Sequence, residues 1–237
     1  MAHITFIADL HLSDDRPHLV TYFTRFMRSQ ARASEALYIL GDLFEFWVGD
    51  DEQSDTIQCV QTEIRDLTAQ GIPVYFQHGN RDFLLGERFA QKCGLILLPS
   101  YQCIEYAGQT ILLCHGDTLC VDDQQYQRFR RLVHQRWLQK LFLMLPLALR
   151  LNIAAKMRAN SQRQKGQKNA EIMDVTPHFV EHIMVHYNVP TLVHGHTHRQ
   201  AAHNVAGGKR FVLGDWRTSA PYLSLSDKGE WQFGEIH

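Results

Sequence analysis

Five times along this chain an apolar run stops at a residue able to bind a metal: ITFIADLH, LYILGDL, PVYFQHGNRD, ILLCHGD and PTLVHGHTH. Short runs rich in branched and aromatic side chains read as buried strands. Between them lie stretches with helical spacing, about Leu19–Arg32, Thr56–Gln70 (Ile57, Val60, Ile64, Leu67) and Phe83–Cys93, closed by Gly71 and Gly94 after the last two. Strands alternating with helices predict an α/β fold whose strands run largely parallel. In such sheets ligands bind beyond the carboxyl ends of the strands, where these stops would gather. LILLP, YQCIEYAG and QTILLCHGD read as strands joined by tight turns, and Thr176–Tyr187 as a helix. RFVLGDW and YLSLSDKGEWQFGEI are expected to complete the sheets as antiparallel strands.

One segment breaks the pattern. Residues 1–120 and 175–237 carry the strand–helix alternation, whereas 121–174 holds no strand signal and is expected to be an inserted helical lid. From Gln124 to Lys168 there are eleven Lys and Arg and no Asp or Glu, although the whole chain has a net charge of only −1. The rest therefore holds thirteen basic residues against all 25 acidic ones, so a cationic insert faces an anionic body and suits an anionic partner. The insert is also apolar, in WLQKLFLMLPLALRL, but its uncharged core, Leu141–Leu149, is nine residues. A bilayer span needs about 20. A partly buried helical hairpin bent at Pro146 is expected, and a greasy surface edged by Lys and Arg also suits a lipid or membrane face. Nucleic acid is not expected, because single-strand binders interleave basic groups with aromatic platforms.

The five cysteines form no CxxC pair, which argues against a disulfide framework or thiolate zinc site and points to a reducing compartment. The start, MAHITFIADLHLSDD, has no basic segment ahead of its apolar run and does not read as a signal peptide.

The strand-end residues are Asp9, His11, Asp42, Asn80, His115, His196 and His198. Taken singly each has an ordinary role, as a turn-former, a cap or a satisfied core histidine. Together they are oxygen and imidazole donors meeting at one sheet edge, where buried carboxylates without a cation are costly. Two divalent ions sharing a bridging carboxylate would satisfy them, and the donor set suits Mn²⁺, Fe²⁺, Zn²⁺ or Co²⁺. If VHGHTHR continues a strand, His194, His196 and His198 share one face. His196 and His198 are read as ligands and His194 as a structural neighbour.

In order, Asp-x-His, Gly-Asp, Gly-Asn-x-Asp, His and Gly-His-x-His resemble the motifs of the calcineurin-like metallophosphoesterases. The resemblance implies a sandwich of two mixed β-sheets flanked by helices. It also implies one metal on Asp9, His11, Asp42 and His198 and a second on Asp42, Asn80, His115 and His196. The chain departs from the family at Arg81, where most members carry histidine as a candidate acid for the leaving group. An arginine offers a planar fork of donors to a phosphate but no usable proton, which favours a leaving group that departs as an anion, as in pyrophosphate cleavage.

The stretches FIADLHLSDD, GDLFEFWVGDD, HGNRDFLLG, HGDTLCVDD, KMRANS and GHTHRQ resemble the branch of this family that acts in lipid A synthesis in Gram-negative bacteria. That likeness implies Mn²⁺-dependent hydrolysis of an acylated UDP-sugar lipid at its α-phosphate, by a cytoplasmic enzyme peripheral on the inner membrane, with no obligate protein partner. It implies substrate contacts from Asn80, Arg81, Asp123, Tyr126, Arg158, Ser161, Lys165, Lys168 and His196, with Asn80, Arg81 and His196 nearest the chemistry. Asp123 is equally a helix N-cap and the lysines a solvated face; Phe83, Phe142, Leu143, Ile153 and Met157 line an acyl chamber or form lid core. The rival readings are a soluble phosphodiesterase of nucleotides or nucleic acid and a non-catalytic membrane-binding scaffold.

Overall fold

The computed structural model describes residues 2–165 and 174–237, with side chains from 160 to 165 outside the description. In chain order the elements are β1 (His3–Ile7), α1 (Pro17–Arg28), β2 (Ala36–Leu40), α2 (Asp55–Ala69), β3 (Val74–Gln77), α3 (Glu87–Cys93), β4 (Ile96–Leu97), β5 (Gln102–Tyr106) and β6 (Gln109–Leu113). There follow α4 (Gln124–Val133), α5 (Arg136–Leu143), α6 (Leu147–Lys165), α7 (Pro177–Tyr187), β7 (Thr191–His194), β8 (Ala201–Val205), β9 (Gly208–Val212), β10 (Ala220–Ser226) and β11 (Trp231–Ile236).

The strands form two mixed sheets, as expected. One has the order β11-β10-β1-β2-β3-β4, with β1 to β4 parallel and the last two strands of the chain added antiparallel beside β1. The other has the order β5-β6-β7-β9-β8, with β6, β7 and β9 parallel and antiparallel strands at both edges. The strand around Phe211 therefore runs parallel to β7, against the antiparallel expectation. Its antiparallel partner is β8, which the sequence pattern did not reveal: AAHNV is mostly exposed at a sheet edge and carries no apolar alternation.

Period-two alternation sorts the side chains of β1 and β2 onto two faces. Phe6, Tyr38 and Leu40 point between the sheets, where they meet Ile111, Leu113, Val193 and Phe211. Ile7, Leu37 and Ile39 point outward against Leu19, Phe23 and Phe26 of α1 and Val60 and Ile64 of α2. Each large apolar side chain buried this way contributes roughly 1.5–3 kcal/mol. On the outer face of the second sheet, Leu112 and Leu192 pack against Val180, Ile183 and Met184 of α7. The helix expected over Phe83–Cys93 is only α3; the stretch before it is held by loop contacts, including Leu85 N–H donating to the Asp82 carbonyl.

Pro146 separates α5 from α6, as expected. The hairpin bent at Pro146 is only shallowly covered: Leu138, Phe142, Leu145, Leu147 and Ile153 are half-buried, and neither α4 nor α5 buries a residue fully. Leu141, Leu143 and Met144 are exposed, while among the described side chains of α6 the buried one is the charged Arg150. Arg150 reaches through a gap left by Gly49 (φ +144°), where a Cβ would collide with its Nη1. It donates to the Val48 carbonyl at 2.7 Å and pairs with Asp51. Arg130 of α4 pairs with the buried Asp117 at 2.5 Å, and Arg158 of α6 with the buried Glu45 at 3.0 Å. The charge contrast between insert and body is thus used partly within the molecule, to dock these helices. Among the described residues no helix is long and apolar enough to cross a membrane.

Candidate metal centre

All seven strand-end candidates lie just past the carboxyl ends of parallel strands: Asp9 and His11 after β1, Asp42 after β2, Asn80 after β3, His115 after β6, and His196 and His198 after β7. None continues its strand, so strand alternation does not set the direction of the His196 and His198 side chains. Asp9, His11, Asp42, His196 and His198 all have φ between +50° and +68°. Among the described non-glycine residues only Ala107 and Asn188 share that sign. Such backbone is uncommon outside glycine and persists where neighbours over-determine it.

Those neighbours are visible. Asp9 N–H donates to the Gly41 carbonyl at 3.1 Å and His11 N–H to the Asp42 carbonyl at 3.0 Å, zipping the first two loops together. The buried Asp82 accepts from the N–H groups of Gly79 (2.8 Å), Leu43 (2.7 Å) and Asp42 (3.3 Å), which fixes the second loop against the third. His196 N–H donates to Asp9 Oδ2 at 2.7 Å, and Gly195 N–H to the His115 carbonyl at 2.8 Å. A Cβ on Gly195 would strike Asp9 Oδ2, as its expected close approach requires.

Two groups of donor atoms converge: Asp9, His11 and His198, and Asp9, Asp42 and His115, each with its ligand atoms within 4.8 Å of one another. Asn80 Oδ1 lies 3.2 Å from His115 Nε2 and 2.9 Å from His196 Nδ1. Donors at about 2.1 Å around one cation stand roughly 3 Å apart, so these separations suit a shared ion. His115 Nδ1 faces the Leu40 carbonyl at 2.8 Å and His198 Nδ1 faces Asp215 at 3.0 Å, which turns each Nε2 inward, an outer arrangement common behind metal-binding histidines.

The electrostatics also ask for a cation. Asp9 and Asp42 are buried, and Asp9 Oδ1 stands 3.3 Å from His198 Nε2. Burial, with the carboxylates of Asp82 and Asp9 close by, pushes Asp42 up to about 7 despite His115. For Asp9, burial is outweighed by the hydrogen bond and charge of His198, and its acid is held well below the usual carboxylate range. Burial would lower His198, but its bonds to Asp215 and Asp9 raise it to about 9. Burial, then the neighbouring His115, pushes His196 down to about 3, leaving a neutral ring. Two buried carboxylates, four imidazoles and an amide oxygen, with no thiolate, fit divalent cations of the harder and intermediate kind.

Arg81 pairs with Glu45 Oε1 at 3.3 Å rather than with Asp82, and its N–H donates to Asp42 Oδ1 at 2.9 Å. Asp123 caps α4 by accepting from Tyr126 N–H at 3.0 Å, as the alternative reading had it. Tyr126 OH donates to Asp117 Oδ2 at 2.7 Å, and its ring centroid lies 6.1 Å from that of His196. Arg158 reaches Glu45 from the helices above. Phe83 packs on His134 at the end of α4, and the exposed Leu143 and Met157 lie on the same helical insert. Ser161 and Lys165 fall on the last turns of α6, with side chains outside the description, and Lys168 lies outside the described residues. His194 is buried, with Nδ1 on the Gly195 carbonyl.

The sequence reading missed four residues that hold this site: Glu45, Asp82, Asp117 and Asp215. Each was visible in a quoted motif (GDLFE, GNRD, HGD and LGDW), and each is one step removed from the ligand positions.

A fold of two mixed sheets with this edge defines a phosphoesterase of the calcineurin type: residues 2–200 match the family model for calcineurin-like phosphoesterases, and the chain belongs to that family. Within it, the chain is 55% identical over 229 residues to the UDP-2,3-diacylglucosamine hydrolase of Pasteurella multocida (strain Pm70), covering 96% of both chains. It is 54% identical over 234 residues to the hydrolase of the same name from Haemophilus influenzae (strain PittGG), covering 98% of this chain and 99% of that one. The hypothetical protein PH1004 from Pyrococcus horikoshii OT3 shares the fold at TM-score 0.52 and 12% identity, over 100% of this chain and 88% of that chain.

Proposed function

We propose that this chain hydrolyses the pyrophosphate bond of UDP-2,3-diacylglucosamine, giving UMP and 2,3-diacylglucosamine 1-phosphate. The observation that carries the reading is a cluster of oxygen and imidazole donors lying beneath helices that are both cationic and openly apolar. Its similarity to hydrolases of that name over nearly the whole chain supports it further.

Asp9, His11, Asp42, Asn80, His115, His196 and His198 would hold two divalent cations, Mn²⁺ first among them. When bound, they lower the pKa of water and neutralise charge on phosphoryl oxygens. The chain does the rest. Water adds to the α-phosphorus and gives up a proton to solvent, while the bond to the bridging oxygen breaks and its electron pair leaves with the sugar phosphate. That group leaves as a phosphate anion and needs no proton, which is why an arginine serves where a histidine acid would otherwise stand. Arg81, Asn80 and His196 line the phosphate side and stabilise charge developing on its oxygens. Arg158 and Tyr126 bring head-group contacts from above; Asp123, Ser161, Lys165 and Lys168 are assigned to the same head group.

Helices α4 to α6, within the insert 121–174, act as a lid over the acyl chains, with Phe83, Phe142, Leu143, Ile153 and Met157 as the apolar lining. Trp137 (59% exposed) and Met144 (79% exposed), flanked by Arg136 and Lys140, present a surface suited to the cytoplasmic face of the inner membrane.

The test is turnover of the UDP lipid against bis-p-nitrophenyl phosphate, with and without Mn²⁺. Mn²⁺-dependent cleavage favouring the lipid is expected. Rapid cleavage of the simple diester with the lipid untouched would point to a general phosphodiesterase instead.

A further inference from the structure

Glu45 follows β2 in the sequence GDLFE and is 3% exposed. Three guanidinium groups from three separate parts of the chain meet on its carboxylate. Arg16, from the loop before α1, places Nη1 3.3 Å from Oε2. Arg81, after β3, places Nη1 3.3 Å from Oε1, and Arg158, on α6, places Nε 3.0 Å from the same oxygen. His11 Nδ1 stands 3.8 Å from Oε2, so the hub adjoins the metal centre.

The charges do not balance. Three arginines against Glu45, with Asp42 Oδ2 at 4.0 Å from Arg81 Nε as their only further carboxylate partner among the described residues, leave an excess of positive charge, and like charges this close repel unless a further anion joins them. Each guanidinium carries five N–H donors, and the bonds to Glu45 occupy only a small share of those fifteen. The side chains of Arg16, Arg81 and Arg158 are 36%, 18% and 23% exposed, so donors remain on the open side of the cluster. A group with two negative charges and planar-accessible oxygens is what such a set would bind. Holding three long side chains in place beforehand also removes rotamer entropy that binding would otherwise cost.

We propose that Arg16 is a third phosphate-facing arginine of this site, beside Arg81 and Arg158, and that Glu45 is the positioning residue that assembles the three next to the metal centre. The ligand chemistry is a phosphate or diphosphate anion; its identification with the substrate's diphosphate rests on the function proposed above. Arg16 comes from the core and Arg158 from the helical insert, so a bound phosphate would tie the two together.

The experiment measures inhibition by inorganic phosphate of bis-p-nitrophenyl phosphate cleavage, and KM and kcat on the UDP lipid, for wild type, Arg16→Ala, Glu45→Gln and the double variant. Metal content is measured on each. Loss of one charge-assisted contact is expected to raise the inhibition constant and the lipid KM about tenfold in Arg16→Ala, with metal content unchanged. Glu45→Gln, which keeps the side chain's shape, is expected to weaken both by a similar factor. The double variant is expected to be no more than about twofold worse than the poorer single one, because both changes disable the same contact. An unchanged inhibition constant in Arg16→Ala, or losses that multiply in the double variant, would overturn the proposal. A wild type that ignores the UDP lipid while the phosphate pattern holds would overturn the substrate reading and leave the arginine hub standing.

Discussion

Raising the pH from 6 to 8 is expected to tighten divalent-cation binding to the metal-free protein by about a thousandfold. A cation can take His198 and Asp42 only after their protons leave. His198 is held at about 9 by Asp215 and Asp9 against burial, and Asp42 at about 7 by burial and its carboxylate neighbours. Over those two pH steps the deprotonated fraction of a group near 9 rises about a hundredfold, and that of a group near 7 about tenfold. His115, raised by Asp42 and Asp9 although burial opposes it, acts in the same direction; His196, near 3, adds nothing. Titration calorimetry with Mn²⁺ at pH 6, 7 and 8, in two buffers of different ionisation enthalpy, gives both the affinity and the protons released. The sign also appears in stability. His198, raised above its ordinary 6.5, stabilises the metal-free fold fully below that value and loses its contribution as the pH climbs through 9. Asp42, raised above 3.8, favours the fold at low pH and loses that contribution through 7. Chelation should therefore lower Tm more at pH 8 than at pH 6. An affinity that rises less than tenfold, with no proton release, would refute the reasoning.

Asp42→Ala should abolish turnover and lower metal content, and an unchanged elemental analysis would remove its bridging role. Arg81→Ala should reduce kcat by about a hundredfold or more while metal content stays constant; an unchanged rate would leave Arg81 as no more than the ion-pair partner of Glu45. Arg150→Met leaves the Val48 and Leu145 carbonyls and Asp51 without their guanidinium and should cost about 2–4 kcal/mol in a urea titration, reduced from the fully buried case because Asp51 is half exposed. A loss under about 1 kcal/mol would mean that the α6 anchor is unimportant. Asp215→Asn should lower the His198 pKa in the metal-free protein, read by NMR titration, and an unmoved value would mean that Asp9 alone holds it.

Much of this was legible before any coordinates. Strands β1, β2, β3, β6 and β7 announced themselves because each is a short apolar run largely buried between the layers, and their polar stops marked the edge where the donors gather. The helical character of the insert and its break at Pro146 also followed from local pattern. Strand β8 did not, because an exposed edge strand needs no apolar residues. The direction of β9 was misjudged because hydrophobicity reports burial and says nothing of which neighbour a strand pairs with. Nor could spacing show how the ligands are aimed: Asp9 and His11, or His196 and His198, stand two apart as they would on a strand, but a left-handed backbone turns them. The acidic partners of the lid were invisible for another reason. A charge run in sequence does not say whether its counter-ions are a ligand or the protein's own Glu45, Asp51 and Asp117.

The five left-handed positions among the candidate ligands set the chain's folding against its proposed chemistry. Left-handed backbone disfavours a side-chain-bearing residue by roughly 1–2 kcal/mol, so together these positions weigh about as much as a typical domain's whole net stability. Glycine would relieve each of them and remove a donor in the same step. Selection for heat resistance alone, blind to catalysis, should therefore empty the centre one residue at a time, and the sturdiest descendants of this sequence would be inert.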